Sequence, residues 1–302
     1  MFALLTDVSI PKGYEYLLDK TMPFTALSYS IVSMLLLAAV MVGVSIFVRK
    51  KQKGSFVTLF SGVSIFMLFN YFLAAIISAF IPKMNTALYI LLSALVSAVL
   101  PFVARLVVIK IFSRQYTGLK EHLGYGLGIM DMKAITTILV FVTPIANYIQ
   151  INSYGVANFF PSELEAEVAL GRAENLVTMF EYNYSQCILM ALISIGMMLH
   201  YVAVSLPIYA AFEGKNRKRW FAFALGSSFL VSLGDVMYNN DVLAIPAIIL
   251  VLLVAGVSVY FAVKLYKELG DSDEEETSQS NSGDISRYAH TKIPKFNNLD
   301  KL

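Results

Sequence analysis

The sequence predicts an all-α fold: a polytopic bundle of about seven transmembrane helices, with its N-terminus outside and its C-terminus in the cytoplasm. Three observations predict it. Of 302 residues, 57% are hydrophobic and only 15% charged, with a mean hydropathy of +0.67, against about 25% charge in a soluble domain. Seven apolar stretches reach the roughly 20 residues that a helix needs to cross about 30 Å of hydrocarbon. Lysine and arginine concentrate in alternate connections between those stretches. The same composition excludes a disordered chain, collagen or a small disulfide scaffold. The single cysteine, Cys187, cannot form an internal bridge, and a net charge of +2 supplies no field for nucleic acid.

Taken in order, residues 1–23 form an external segment carrying Asp7, Lys12, Glu15, Asp19 and Lys20. It has no basic stretch followed by a long apolar core, so no cleavable signal peptide is expected. The transmembrane domain occupies 24–268, with spans near 24–48, 55–81, 86–112, 123–148, 184–212, 220–238 and 242–264. Stretches longer than the minimum imply tilt or extension past the bilayer. Orientation follows from basic residues. Thirteen of them (Arg49, Lys50, Lys51, Lys53; Lys110, Arg114, Lys120; Lys215, Arg217, Lys218, Arg219; Lys264, Lys267) share one side with the C-terminus, against Lys12, Lys20, Lys83 and Arg172 on the other. The basic side is cytoplasmic. The expected location is the cell (plasma) membrane.

Two segments lie outside the lipid. Residues 149–183 form the long external loop, whose acids are Glu163, Glu165, Glu167, Glu174 and Glu181. Pro161 precedes Ser162 and Glu165, which have capping-box spacing, so a helix is expected over about 163–181 with Gly171 as its weak point. It reads as an amphipathic helix on the outer leaflet, or else as a docking or gating element. Residues 269–302 open with DSDEEE and continue through Ser, Gln, Asn and Gly, the composition of a disordered cytoplasmic tail. Ile293, Phe296 and Leu299 among lysines near its end suit a short docking peptide.

Ionisable groups inside a bilayer are costly and mark sites or helix ties. The candidates are Arg105, Asp131, Lys133, His200 and Asp235, with Asn70 as a neutral addition. From about 1.5 Å of rise per residue, Arg105 and Asp131 lie roughly 10–12 Å from the cytoplasmic face and Lys133 roughly 15 Å. On that axial measure Arg105 and Asp131 are expected to form an ion pair. His200 and Asp235, roughly 18 and 22 Å deep, are expected to meet or to line a cavity. Of three histidines only His200 lies well inside a span, and neither HExxH nor GxSxG occurs. Zinc needs at least three protein ligands, so no metal or other cofactor is expected from the residues.

Span three ends LPFVARLVVIKIFSRQ and span four begins HLGYGLGIMDMKAI. In order and spacing these segments resemble the YhfC-like membrane proteins, intramembrane metallopeptidases grouped with the PrsW and CPBP glutamate-type membrane proteases. In that family one helix carries EExxR, the next opens with a GxGHGxxE-type motif, and later helices add histidine and aspartate. Arg105 fits the arginine, while Pro101 and Phe102 stand at the two glutamate positions. Gly124, Gly126 and Gly128 fit the motif glycines, with Leu127 at the histidine and Asp131 at the glutamate. Asp235 fits the later aspartate, with Val231 where the family has histidine. The resemblance covers about residues 86–240.

What the resemblance implies is a protease fold with a degraded active site, because proline and phenylalanine cannot act as a general base. The expected function is therefore non-catalytic: binding a membrane segment or peptide, or serving as an accessory subunit to a membrane-protein partner in the lipid bilayer. A small transporter or channel-like component is one alternative, since Pro101, Pro144, Pro207 and Pro246 fall in or near spans. An active metallopeptidase, using zinc with Asp131, His200 and Asp235, is the other.

Overall fold

A computed structural model of the chain describes residues 10–52, 56–81, 85–112, 118–161, 164–214, 216–240 and 242–280. Among them there is no strand, and seven helices are long and apolar enough to span a membrane: Phe24–Arg49, Phe56–Ile77, Thr86–Lys110, Leu119–Tyr154, Gln186–Phe212, Arg217–Asn239 and Ala244–Leu269. Each expected span is present. The fourth runs 36 residues, about 54 Å, and so exceeds the hydrocarbon thickness by several turns.

In element terms the spans are α1 (Phe24–Gln52), α2 (Phe56–Ile65) continuing through a π-helical stretch Phe66–Leu73 into α3 (Ala74–Ala79), α4 (Thr86–Phe112) and α5 (Leu119–Tyr154). The shorter helix α6 (Ala166–Glu181) follows, then α7 (Gln186–Ala203) with α8 (Ser205–Phe212), α9 (Arg217–Asn239) and α10 (Ala244–Ser280). The bend between α7 and α8 falls at Val204, three residues before Pro207. Proline lacks the N–H for one helical bond and its ring crowds the preceding turn. Pro246 sits in the first turn of α10, where the missing N–H is without consequence. Helix α10 runs on through the DSDEEE segment that composition assigns to a disordered tail. Its three glutamates are good helix formers. The suggested docking peptide with Ile293, Phe296 and Leu299 lies outside the described residues.

The chain divides into two compact units. The first comprises Met1–Ile46 with Lys133–Ile195. Within it, α6 begins at Ala166, later than the expected 163, and Glu165 at its N-cap makes no side-chain capping bond; Ser162 lies outside the described residues. Ala169, Ala173 and Leu176, spaced four and three apart, form its buried face. Helix α6 packs against the short 3-10 turn Glu15–Leu17, where Leu17 is fully buried. The Lys20 ammonium stands 5.3 Å from the Tyr16 ring centre and 5.6 Å from that of Phe180. The Asn152 amide pairs with both main-chain groups of Met22: it accepts from the N–H at 2.9 Å and donates to the carbonyl at 3.1 Å. That reciprocal pair pins the segment before α1 to the end of α5.

The second unit comprises Phe47–Met132 with Gly196–Leu302. Within it, α2 packs closely on the start of α5. Thr58 and Gly62, four residues apart, face Gly124 and Gly128, also four apart. A methyl on Gly128 would overlap the Leu59 carbonyl and stand 2.9 Å from the Val63 nitrogen. A methyl on Gly124 would meet the Thr58 hydroxyl. Small residues at this spacing let two membrane helices touch backbone to backbone. Gly126 points elsewhere: a methyl there would meet Ser205 and come within 2.9 Å of the Tyr201 carbonyl, at the α7–α8 bend. All three motif glycines are thus packing devices. A second such contact wedges Val251 of α10 against Gly196 of α7 and Gly234 of α9.

Candidate functional site

Arg105, His200, Ser205, Ser228 and Ser232 of the second unit gather where α4, α7, α8 and α9 meet. Arg105 comes from the C-terminal half of α4 and is buried (4% exposed). Its Nη1 donates to Ser205 Oγ at 3.2 Å and its Nη2 to the Tyr201 carbonyl at 3.1 Å. Ser205 Oγ donates in turn to the same carbonyl at 3.2 Å. Tyr201 lies one turn before Ser205, across the bend, where a kinked helix offers its carbonyls to side chains. The guanidinium therefore fastens α4 to the bend beside Pro207. Neither of its hydrogen bonds goes to Asp131, so the expected Arg105–Asp131 tie is replaced by Arg105–Ser205/Tyr201. Asp131 is half-buried on α5 and has an interaction of its own.

His200, on α7, is fully buried. Its Nδ1 lies 3.0 Å from Ser258 Oγ of α10 and its Nε2 3.1 Å from Ser228 Oγ of α9. Proton bookkeeping assigns the ring. Ser258 donates its one hydroxyl hydrogen to the Val254 carbonyl at 2.8 Å, so it can only accept from His200. Nδ1 therefore carries hydrogen, and in the neutral ring Nε2 accepts from Ser228. A single imidazole joins three helices. Asp235, which depth alone brings near His200, is half-buried on α9 and is not among its partners.

Between these groups lies a small cavity of about 20 Å³, room for about one water. Pro101, Phe102 and Arg105 line it from α4, Ile129 from α5, His200 and Tyr201 from α7, and Ser228, Val231 and Ser232 from α9. Five positions singled out in the sequence (101, 102, 105, 200 and 231) thus share one chamber, whereas Leu127, Asp131 and Asp235 do not line it. Lys133 is half-buried, and its carbonyl accepts from the Thr136 and Thr137 hydroxyls at 3.0 and 2.9 Å. Asn70 falls within the π-helical stretch, and its side chain is outside the described residues.

The donor set does not fit a metal. The chamber offers a guanidinium cation, serine hydroxyls and one imidazole whose two nitrogens are both engaged, whereas zinc sites are built from thiolate, imidazole and carboxylate. Among the described residues no three His, Cys, Asp or Glu side chains form a group able to hold a metal ion. Nor does the chamber present a carboxylate to act as general base.

Another buried polar residue is His122 (2% exposed), set among Tyr125, Tyr209 and Phe212 with ring centres 6.3, 5.1 and 5.9 Å away. It lies near the start of α5, at the edge of the fourth span, and packing buries it there. The serines that complete the site, Ser205, Ser228 and Ser258, escape a reading that looks for ionisable groups. Their one sequence signal is a hydroxyl at mid-span. No known protein family, curated protein or solved structure matches the chain.

Proposed function

We propose that this integral membrane protein is a non-catalytic relative of the YhfC-like intramembrane peptidases, oriented N-out and C-in, that serves as a binding or accessory subunit for another membrane protein. The observation that carries the reading is the convergence on one chamber of Pro101, Phe102, Arg105 and Val231, which the resemblance marks, beside the buried His200. Residues that a catalytic alignment marks as equivalent ought to be neighbours in space even after the chemistry is gone. Here positions 101, 102, 105 and 231 are neighbours while 127, 131 and 235 lie outside the chamber, and the side chains present pack and tie helices. Arg105 anchors the bend and His200 joins α7, α9 and α10, so the former reaction centre is a structural junction.

The two alternatives have less support. An active peptidase needs Asp131 and Asp235 to act with His200, and neither aspartate lines the chamber. A transporter needs a passage, and the chamber has room for about one water. The test is purification of the intact protein in mild detergent, with metal analysis and quantitative mass spectrometry of what co-purifies. A membrane protein recovered in fixed stoichiometry, with zinc well below one per chain, is expected. Zinc near one per chain that is lost on His200→Ala would overturn the reading and restore the peptidase.

A further inference from the structure

The chamber contains a buried positive charge that no acidic side chain balances. Arg105 is 4% exposed and lines it. The other lining residues include no aspartate or glutamate. Of the helices that bound the chamber, α4, α7 and α8 contain no acidic residue along their whole length. Helix α9 carries Asp235 and α5 carries Glu121 and Asp131, and none of the three lines the chamber. The two acceptors that meet the guanidinium, Ser205 Oγ and the Tyr201 carbonyl, are neutral. They satisfy donors without cancelling charge. A cation taken out of water in this way is costly unless a counter-charge accompanies it.

The same side chain supplies the means of holding one. A guanidinium has five N–H donors, and two are spent on the α7–α8 bend. The others are available to a ligand in the chamber. Ser232 of α9 is buried and lines the chamber four residues after Ser228, on the same face of the helix. Ser228 spends its hydrogen on His200 Nε2, so Ser232 is the α9 serine left to donate. One cationic donor and one hydroxyl thus face a common space from two helices.

Charge and surroundings select the ligand. A water molecule would occupy the donors and leave the charge standing. A divalent anion would overshoot it, and the cost of taking an ion out of water climbs steeply with its charge. Most of the remaining wall is apolar, with Phe102, Ile129 and Val231 among its members. A weakly hydrated, monovalent, monatomic anion loses least on entering it. We infer that the chamber is a halide site, in which one chloride, held by the Arg105 guanidinium and the Ser232 hydroxyl, is the counter-ion of the buried cation. The site goes beyond the accessory-subunit reading and does not depend on it: zinc content and co-purification test that reading, and halide dependence tests this one.

The intact protein is prepared in a non-ionic detergent with gluconate as the sole anion, and chloride then replaces gluconate at constant sodium. The first readout is the thermal midpoint. It should rise with chloride and level off, because a ligand that binds only the folded state stabilises it by mass action. Bromide should substitute for chloride, and sulfate should not. The second readout is the chloride NMR line, which broadens when the ion exchanges onto a protein site. Arg105→Gln should abolish both responses, whatever it does to the midpoint itself. Ser232→Ala keeps the cation and should raise the half-saturating chloride concentration at least about tenfold, the worth of one hydrogen bond to a charged group. Arg219→Gln removes an exposed arginine and should change neither response. The same midpoint in chloride and gluconate, an equal response to sulfate, or broadening that survives Arg105→Gln or vanishes with Arg219→Gln would each overturn the site. If Arg105→Gln does not fold, Ser232→Ala decides, and an unchanged half-saturation there refutes the proposal.

Discussion

Gly128→Ala is the sharpest test of how the second unit is held together. The added methyl overlaps the Leu59 carbonyl and lies 2.9 Å from the Val63 nitrogen and 3.0 Å from the Gly62 Cα. All three are backbone atoms, so no side-chain rotation relieves the contact and α2 has to move away from α5. Overpacking of this kind costs about 1–3 kcal/mol, and a backbone obstruction belongs in the upper half of that range. Alanine recovers about 1 kcal/mol of helix propensity, which leaves a net loss of about 1–2 kcal/mol. Gly256→Ala on α10 is the internal control, since nothing lies within 4 Å of the methyl there; it gains the propensity term alone. The assay is thermal unfolding in detergent, with the folded fraction read by size-exclusion chromatography. The midpoint should fall for Gly128→Ala and hold or rise for Gly256→Ala. If both variants behave alike, the close approach of α2 and α5 is wrong.

Other outcomes follow from the same contacts. Arg105→Leu and Asp131→Leu should destabilise additively, to within about 0.5 kcal/mol, whereas Arg105→Leu and Ser205→Ala should show coupling; detergent melts of the single and double variants check both. His200→Ala removes two interhelical hydrogen bonds, each contributing about 0.6–1.7 kcal/mol in a membrane, so it should lose more stability than Ser228→Ala or Ser258→Ala alone. Cysteines introduced at Ser55, Asn158 and Lys218 in a Cys187→Ser chain should react with an impermeant maleimide applied from outside only at position 158. Labelling at 218 but not at 158 would invert the orientation.

The spans were legible because hydropathy reports a one-dimensional property, the length of an apolar run against the thickness of hydrocarbon. The position of a residue along its span is read from the sequence in the same way. Rotation about each helix axis was not, and this is where the site diverged. Arg105 and Asp131 share a depth, but pairing needs them also to face each other, and neighbouring residues on a helix differ by about 100°. The guanidinium found Ser205 and Tyr201 instead. His200 found two serines, and a serine in a span gives no sign of whether it bonds across helices or back to its own carbonyl, as Ser61 and Ser64 do. The glycines at 124, 126 and 128 were visible as a motif, but which neighbour each one touches depends on that same rotation.

The paired small residues of α2 and α5 also carry a parity constraint. Thr58 lies against Gly124 and Gly62 against Gly128, so residue numbers rise together and the two helices run in the same direction. Helices inserted one after another alternate in direction, so an odd number of crossings must separate these two. One does, the α4 crossing. The contact thus counts spans without reference to hydropathy or to lysines and arginines: a missed or spurious crossing between residues 62 and 124 would force the helices antiparallel and reverse the pairing. It also sets an order of assembly. The Thr58–Gly62 face enters the bilayer two crossings before its counterpart, so during synthesis that seam stays open until α5 arrives to close it.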